Sequence, residues 1–81
     1  MKAKPQYTAR QGQYLAFIDY YTKIQCQAPA EADLQRYFEV SPAAVHQMLH
    51  TLEAKDTIKR ERGKARAMRL MVSREALPDL E

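Results

Sequence analysis

The side chains best suited to recognition chemistry lie on one segment, between Ser41 and Leu52. Ser41 followed by Pro42 is typical of a helix start, because the serine oxygen accepts an otherwise unpaired amide and proline has no N–H to leave unpaired. The side of this segment turned away from its apolar residues is small and polar: Ala43, Ala44, His46, Gln47 and His50. A side-chain amide such as that of Gln47 pairs bidentately with adenine N6 and N7, so the segment predicts a helix that reads base edges.

The opposite side of the same segment predicts how this helix is held. Apolar residues recur at spacings of three and four, the pattern of one buried helical face: Val45, Met48, Leu49 and Leu52. Asp56 is expected to end the helix, since aspartate adopts the left-handed conformation more readily than most residues. We therefore predict a recognition helix over residues 42–55.

A basic hairpin is predicted directly after that helix. Alternating residues over 57–61 and 66–72 indicate two strands, and Gly63 provides the positive φ of a tight turn. The wing so formed spans residues 58–72. Its charge is concentrated in six basic residues against one acidic residue, a local +5 in a chain of net charge +3: Lys59, Arg60, Arg62, Lys64, Arg66 and Arg69, with Glu61. Beside a recognition helix, this concentration favours contact with DNA phosphates over a merely solvated edge.

Two earlier helices are needed to position these elements. Thr8 and Gln11 predict a capping box at the start of the first helix, whose buried stripe is Tyr14, Leu15, Phe17, Ile18, Tyr21 and Ile24. The second helix is predicted from about residue 30 to residue 38, poorly capped at Ala30 and burying Leu34 with one or both of Tyr37 and Phe38. A three-residue turn, 39–41, leads into the recognition helix.

These elements predict a mainly α fold with a small β-hairpin, a three-helix winged helix-turn-helix of order α-α-α-β-β. The 81 residues suffice for one such domain. We assign residues 1–7 to a flexible basic arm, 8–72 to the winged helix-turn-helix, and 73–81 to a C-terminal tail with no independent fold.

Three stretches of the sequence resemble the DNA-binding domain of LexA, the bacterial SOS-response repressor. They are Thr8-Ala9-Arg10-Gln11, residues 41–58 and residues 63–70, within a resemblance that covers roughly residues 6–72. The resemblance implies a third helix in the major groove, with base-reading residues Ser41, Ala43, Ala44, His46 and Gln47. It also implies a wing on the phosphate backbone, with contacts from Lys64 and Arg66. To these backbone contacts we add Arg62 on the wing and His50 on the third helix.

The departures from that family are specific. Glu39 stands near a position where glycine is usual, and Asp56 replaces the glycine that commonly ends the recognition helix. The chain stops before the self-cleaving domain with its Ser-Lys pair, so we expect no autoproteolysis. A homodimer, in solution or only on DNA, then needs another source of pairing: the tail, the first helix, DNA-assisted cooperativity or a separate partner. The operator sequence cannot be transferred.

Other classes of function find little support. No nucleophile–base–orienter set or glycine-rich phosphate loop is present, so we expect no enzyme, no cofactor and no small-molecule ligand. His46 and His50 have a metal-ligand spacing, but two ligands do not make a metal site. Cys26, expected to be buried at a helix end, cannot form an internal disulfide. With no signal peptide and no membrane span, we expect a cytoplasmic protein, associated with the nucleoid when bound to DNA.

The favoured function is a sequence-specific regulator of transcription that binds double-stranded DNA, and the resemblance to LexA implies a repressor. Two alternatives remain at this point. Winged helices also serve as protein–protein interaction modules, and a basic wing also suits a non-specific DNA-binding accessory protein. Salt dependence and binding to arbitrary duplexes separate the three.

Overall fold

The computed structural model describes residues 7–61, 63 and 66–81, and it contains three helices followed by a two-stranded antiparallel hairpin. This mainly helical arrangement confirms the predicted winged helix-turn-helix. Apart from Tyr7, the predicted N-terminal arm lies outside the described residues. The elements are α1 (Ala9–Gln25), α2 (Glu31–Phe38), α3 (Pro42–Ala54), β1 (Ile58–Arg60), β2 (Met68–Leu70) and a 3₁₀ turn (Arg74–Ala76).

The first helix starts as predicted but buries less of its length. Thr8 Oγ1 accepts the Gln11 N–H at 3.2 Å and Gln11 Oε1 accepts the Thr8 N–H at 3.0 Å, which completes the capping box. Burial is confined to the stretch from Gly12 to Ile18. The predicted stripe was wrong at its end, because Tyr21 is half-buried and Ile24 is 56% exposed. The last turns of α1 extend beyond the core.

Cys26 follows the exposed last turns of α1 and is therefore exposed as well. This residue caps the helix in the left-handed conformation, with φ 58°. Its side chain is exposed, which corrects the expectation of a buried thiol.

The second helix gains a cap that its first residue cannot provide. Ala30 has no side-chain oxygen, but Asp33 Oδ2 accepts the Ala30 N–H at 2.8 Å. Leu34 is fully buried, and Phe38 is half-buried and stacks on Tyr14 with ring centroids 4.1 Å apart. Tyr37 is largely exposed, and its hydroxyl donates to the Glu81 carbonyl.

The turn into α3 and the end of α3 both use left-handed residues. Glu39 has φ 54° and Asp56 has φ 58°, so both residues adopt a conformation that favours glycine. Between them, Ser41 Oγ accepts the Ala44 N–H at 3.1 Å, as expected for an N-cap. The buried face is confirmed for Val45, Leu49 and Leu52, which have no exposed surface, while Met48 is half-buried: α3 is thereby fixed to the core.

The hairpin has a defined register but shorter strands than predicted. Ile58 pairs with Leu70, Lys59 with Arg69 and Arg60 with Met68. Gly63 has φ 78°, as its position in the turn requires. Arg66 does not belong to the second strand, because its φ of 56° interrupts the extended backbone and β2 begins only at Met68.

Residues 73–81 pack back onto α1. The Gln13 side chain donates to the Asp79 carbonyl at 2.9 Å and accepts the Glu81 N–H at 2.8 Å. The Tyr7 hydroxyl donates to the Ala76 carbonyl. A Cβ at Gly12 would lie 3.1 Å from Pro78 Cγ and 3.0 Å from Tyr7 Cε1, so the missing side chain permits this close approach.

Candidate nucleic-acid interface

The predicted recognition residues share the exposed side of α3. Burial of its apolar face leaves the following residues exposed at the start and middle of the helix: Ser41, Ala43, Ala44, His46, Gln47 and His50. Gln47 accepts a hydrogen bond from Thr51 Oγ1 at its backbone carbonyl oxygen, at 3.0 Å. Its side-chain amide and the His46 ring have no hydrogen-bond partner among the described residues. The side chains of His46 and Gln47 are therefore available to an external partner.

A groove of about 740 Å³ runs between α3 and the wing. His46 and His50 line it from α3, Gly63 and Ala67 line it from the wing, and Ala30 lines it from the start of α2. The groove thus joins the exposed side of α3 to the hairpin, and a macromolecule bound along α3 would also contact the wing.

Carboxylates at the edge of this groove are neutralised from within the protein. Arg60 Nη1 lies 3.2 Å from Glu31 Oε2 on α2, and Arg60 Nη2 lies 2.9 Å from Glu53 Oε1 on α3. Since the Arg60 side chain is only 21% exposed, it acts as a bridge inside the protein. Without Arg60, two negative charges would border a surface on which phosphate is expected.

Arg66, selected from sequence as a backbone contact, is also paired within the protein. Its Nη1 lies 3.0 Å from Asp33 Oδ2 and 3.0 Å from Tyr21 Oη, and 3.3 Å from the Ala28 carbonyl oxygen. The guanidinium carbon sits 5.9 Å from the centre of the Tyr21 ring. The hydrogen bond that Arg66 donates to Tyr21 Oη and the charge of Asp33 raise the pKa of Arg66 above its ordinary value, against an opposing effect of burial.

Two cations missed by the sequence selection lie on the outer face of the hairpin. Lys59 and Arg69 are both exposed, while their strand neighbours Ile58 and Met68 face the core. Neither cation has an ion-pair partner in the part of the chain that the structure describes. The alternation of apolar and polar residues along the strands predicts this exposure, since residues that flank a buried strand position point outward.

The remaining two predicted backbone contacts, Arg62 and Lys64, lie outside the described residues. His50, the fourth, is exposed and lines the groove. Of the residues predicted to meet DNA, the structure therefore collects those of α3 on one exposed side. Arg66 is exposed and also lines the groove, but its Nη1 is bound to oxygen atoms of α1, α2 and the loop between them.

The residues that the structure describes contain no group of three or more His, Cys, Asp or Glu side chains placed to hold a metal ion. None of their helices is both long and apolar enough to cross a membrane.

The chain matches the family model of the LexA DNA binding domain over residues 4–67. This range includes all three helices, β1 and the turn of the hairpin, and so covers most of the chain. The chain matches no curated protein at a significant level.

Proposed function

Because the chain belongs to the LexA DNA-binding domain family and is a DNA-binding regulator, we propose that it is a sequence-specific repressor of transcription. In this proposal α3 lies in the major groove of double-stranded DNA and the wing lies on the phosphate backbone. The observation that carries the proposal is the exposed side of α3, where His46 and Gln47 have polar groups with no partner among the described residues.

Base reading falls to the first half of α3. Gln47 is the strongest candidate, because its amide can donate to adenine N7 and accept from adenine N6 at once. His46 donates to guanine N7 or to a phosphate. Ala43 and Ala44 are small enough to let the helix approach and to touch a thymine methyl group. Ser41 keeps a hydroxyl proton for DNA, since only its oxygen is used by the cap.

Phosphate binding falls to cations that no carboxylate of the described residues engages. Lys59 and Arg69 are such cations on the outer face of the wing. We add Lys59 and Arg69 to three of the backbone contacts predicted from the sequence, His50, Arg62 and Lys64. If roughly four phosphates are neutralised, log K falls with log salt at a slope of about −3.6. Affinity then drops about a hundredfold between roughly 50 and 200 mM salt.

One winged helix reads about half of an operator, so useful specificity needs a second copy on the same DNA. We propose that the two copies meet only when bound to adjacent half-sites. In a bacterial cell such a regulator works in the cytoplasm, on the nucleoid.

The deciding experiment is selection of bound sequences from a randomised duplex pool at about 150 mM salt. We expect an enriched motif made of two related half-sites. Binding without any enriched motif would support a non-specific DNA-binding accessory protein instead. No binding by folded protein, even at about 50 mM salt, would support the protein–protein interaction module and sink the proposal.

A further inference from the structure

Arg66 occupies an uncommon place in the hairpin. It precedes β2, in a left-handed conformation that residues with a Cβ adopt rarely. Such a conformation persists where the surroundings fix it. Here three oxygen atoms surround a single guanidinium nitrogen, Nη1, at 3.0 to 3.3 Å. The side chain of Arg66 therefore holds the returning arm of the wing in place.

The three oxygen atoms all belong to the corner between α1 and α2. Tyr21 lies on α1, Ala28 in the connecting loop and Asp33 on α2. The Asp33 side chain is only 12% exposed, and it also accepts the N–H of Ala30 that starts α2. Arg66 is therefore tied to a carboxylate that α2 itself needs.

The charge state of Asp33 agrees with this geometry. Burial alone would raise the pKa of Asp33. The Ala30 amide and the Arg66 guanidinium outweigh that effect and hold the pKa below its ordinary value. The Asp33 carboxylate is therefore ionised at neutral pH, and its charge is available to pair with Arg66.

The outgoing arm of the wing has a matching attachment. Arg60 bridges Glu31 on α2 and Glu53 on α3, at 3.2 and 2.9 Å. Each arm of the hairpin thus sends one arginine to the first turn of α2, where Glu31 and Asp33 lie two residues apart. Two attachments fix the angle of the wing more firmly than one.

We propose that Arg66 is a positioning residue for DNA binding: by pairing with Asp33 it fixes the wing relative to α3, and it does not itself bind phosphate. This inference rests on the proposed function, since it assumes that the wing meets DNA beside α3. A phosphate that drew Arg66 away would leave the largely buried Asp33 carboxylate with Arg36 as its cationic partner, an exposed side chain whose Nη1 lies 3.8 Å from Asp33 Oδ1. That exchange is unfavourable, because a carboxylate that is mostly removed from water needs a close partner. Neighbouring cations that lack such a partner are better phosphate ligands.

The salt dependence of binding distinguishes the two roles of Arg66. A variant that loses a phosphate contact reduces the slope of log K against log salt by about 0.9, whereas a variant that loses only positioning leaves the slope unchanged. We expect Arg66→Ala to weaken binding to the selected duplex about tenfold, because the wing must then be ordered during binding. We expect its slope to equal that of the unmodified protein. Arg69→Gln serves as the matched control and should lose about 0.9 of slope.

Asp33→Asn provides a second test, in which the two roles of Arg66 predict opposite changes in DNA affinity. Asparagine keeps an oxygen for the Ala30 amide and removes the charge that holds Arg66. Removal of an acidic charge near DNA ordinarily tightens binding, and Asp56→Asn, at an exposed residue, should show this ordinary effect. We expect Asp33→Asn to weaken binding instead, and the double variant with Arg66→Ala to be no weaker than Arg66→Ala alone.

A measurement on the free protein separates positioning from mere folding. In both variants, with circular dichroism unchanged, we expect the heteronuclear NOE of the Ala67 amide to fall. A reduced slope for Arg66→Ala, tighter binding by Asp33→Asn, or an unchanged NOE overturns the inference while leaving the proposed function intact. Failure of the unmodified protein to bind any duplex overturns both.

Discussion

Lys59 and Arg69 lie directly opposite each other in the antiparallel register of the hairpin, with both side chains on its exposed face. Like charges in this arrangement destabilise a hairpin. The pair is therefore unfavourable for folding of the free protein and favourable for binding an anion. Stability and DNA affinity are expected to respond to it with opposite signs.

Replacing either cation tests this opposition. We expect Arg69→Gln, and equally Lys59→Gln, to increase the free energy of unfolding by about 0.2–1 kcal/mol. Each should also reduce the salt slope of DNA binding by about 0.9. Chemical denaturation gives the first quantity and DNA titration at several salt concentrations the second. A less stable variant with unchanged salt slope would show that the pair serves the fold and not DNA.

Gln47→Ala tests base reading by α3. Loss of a bidentate contact should cost about 1–3 kcal/mol on the selected duplex and almost nothing on a scrambled duplex of equal length. Binding constants for the two duplexes provide the measurement. Gln25→Ala, at an exposed residue near the end of α1, is the matched control and should change neither. Equal losses on both duplexes would rule out a base-reading role for Gln47.

The lowered pKa of Asp33 makes stability depend on acid. Burial raises this pKa, but the Ala30 amide and Arg66 lower it further than burial raises it. As the pH falls, Asp33 is protonated first in the unfolded chain, where its pKa is about 3.9. The contribution of Asp33 to the free energy of unfolding is therefore complete above that pH, and it is lost as the pH falls through the lower pKa of the folded state. In denaturant titrations between about pH 6 and 2, the stability of the unmodified protein should fall more steeply than that of Asp33→Asn. Parallel curves would contradict the assigned shift.

Glu39→Gly tests the cost of the left-handed turn between α2 and α3. Glu39 has φ 54°, and release of a side chain from this region should stabilise the protein by about 1 kcal/mol. Ala32→Gly, at an exposed position inside α2, should instead destabilise it by about 1 kcal/mol. Thermal or chemical unfolding measures both. If both variants lose stability alike, the left-handed conformation of Glu39 does not reduce the stability of the protein.

The recognition helix was predictable because its signals are local. Ser41 and Pro42 mark its start, the apolar spacing marks its buried face, and Asp56 marks its end, all within sixteen residues of sequence. The outward direction of Lys59 and Arg69 also follows from local alternation, because each flanks a buried strand residue. An acidic residue at the third position of α2 was likewise a signal for the cap that Asp33 provides.

The pairing of the wing arginines was not predictable in this way. Arg60 and Glu31 are 29 residues apart, and Arg66 and Asp33 are 33 apart. No periodicity of the sequence connects such distant positions. Which carboxylates face the hairpin depends on how the helices pack in the folded protein. A count of basic residues therefore overstates the charge that the wing can offer to DNA.

The contacts of residues 73–81 with the start of the chain have a consequence for folding kinetics. Tyr7 with Ala76, Gln13 with Asp79 and Gln13 with Glu81 join residues 66 to 69 positions apart. Contacts that close such long loops form late, after the helices have docked. Interactions absent from the transition state slow unfolding without accelerating folding. A variant that ends at residue 72 should therefore fold at nearly the original rate and unfold faster, as stopped-flow measurements would reveal.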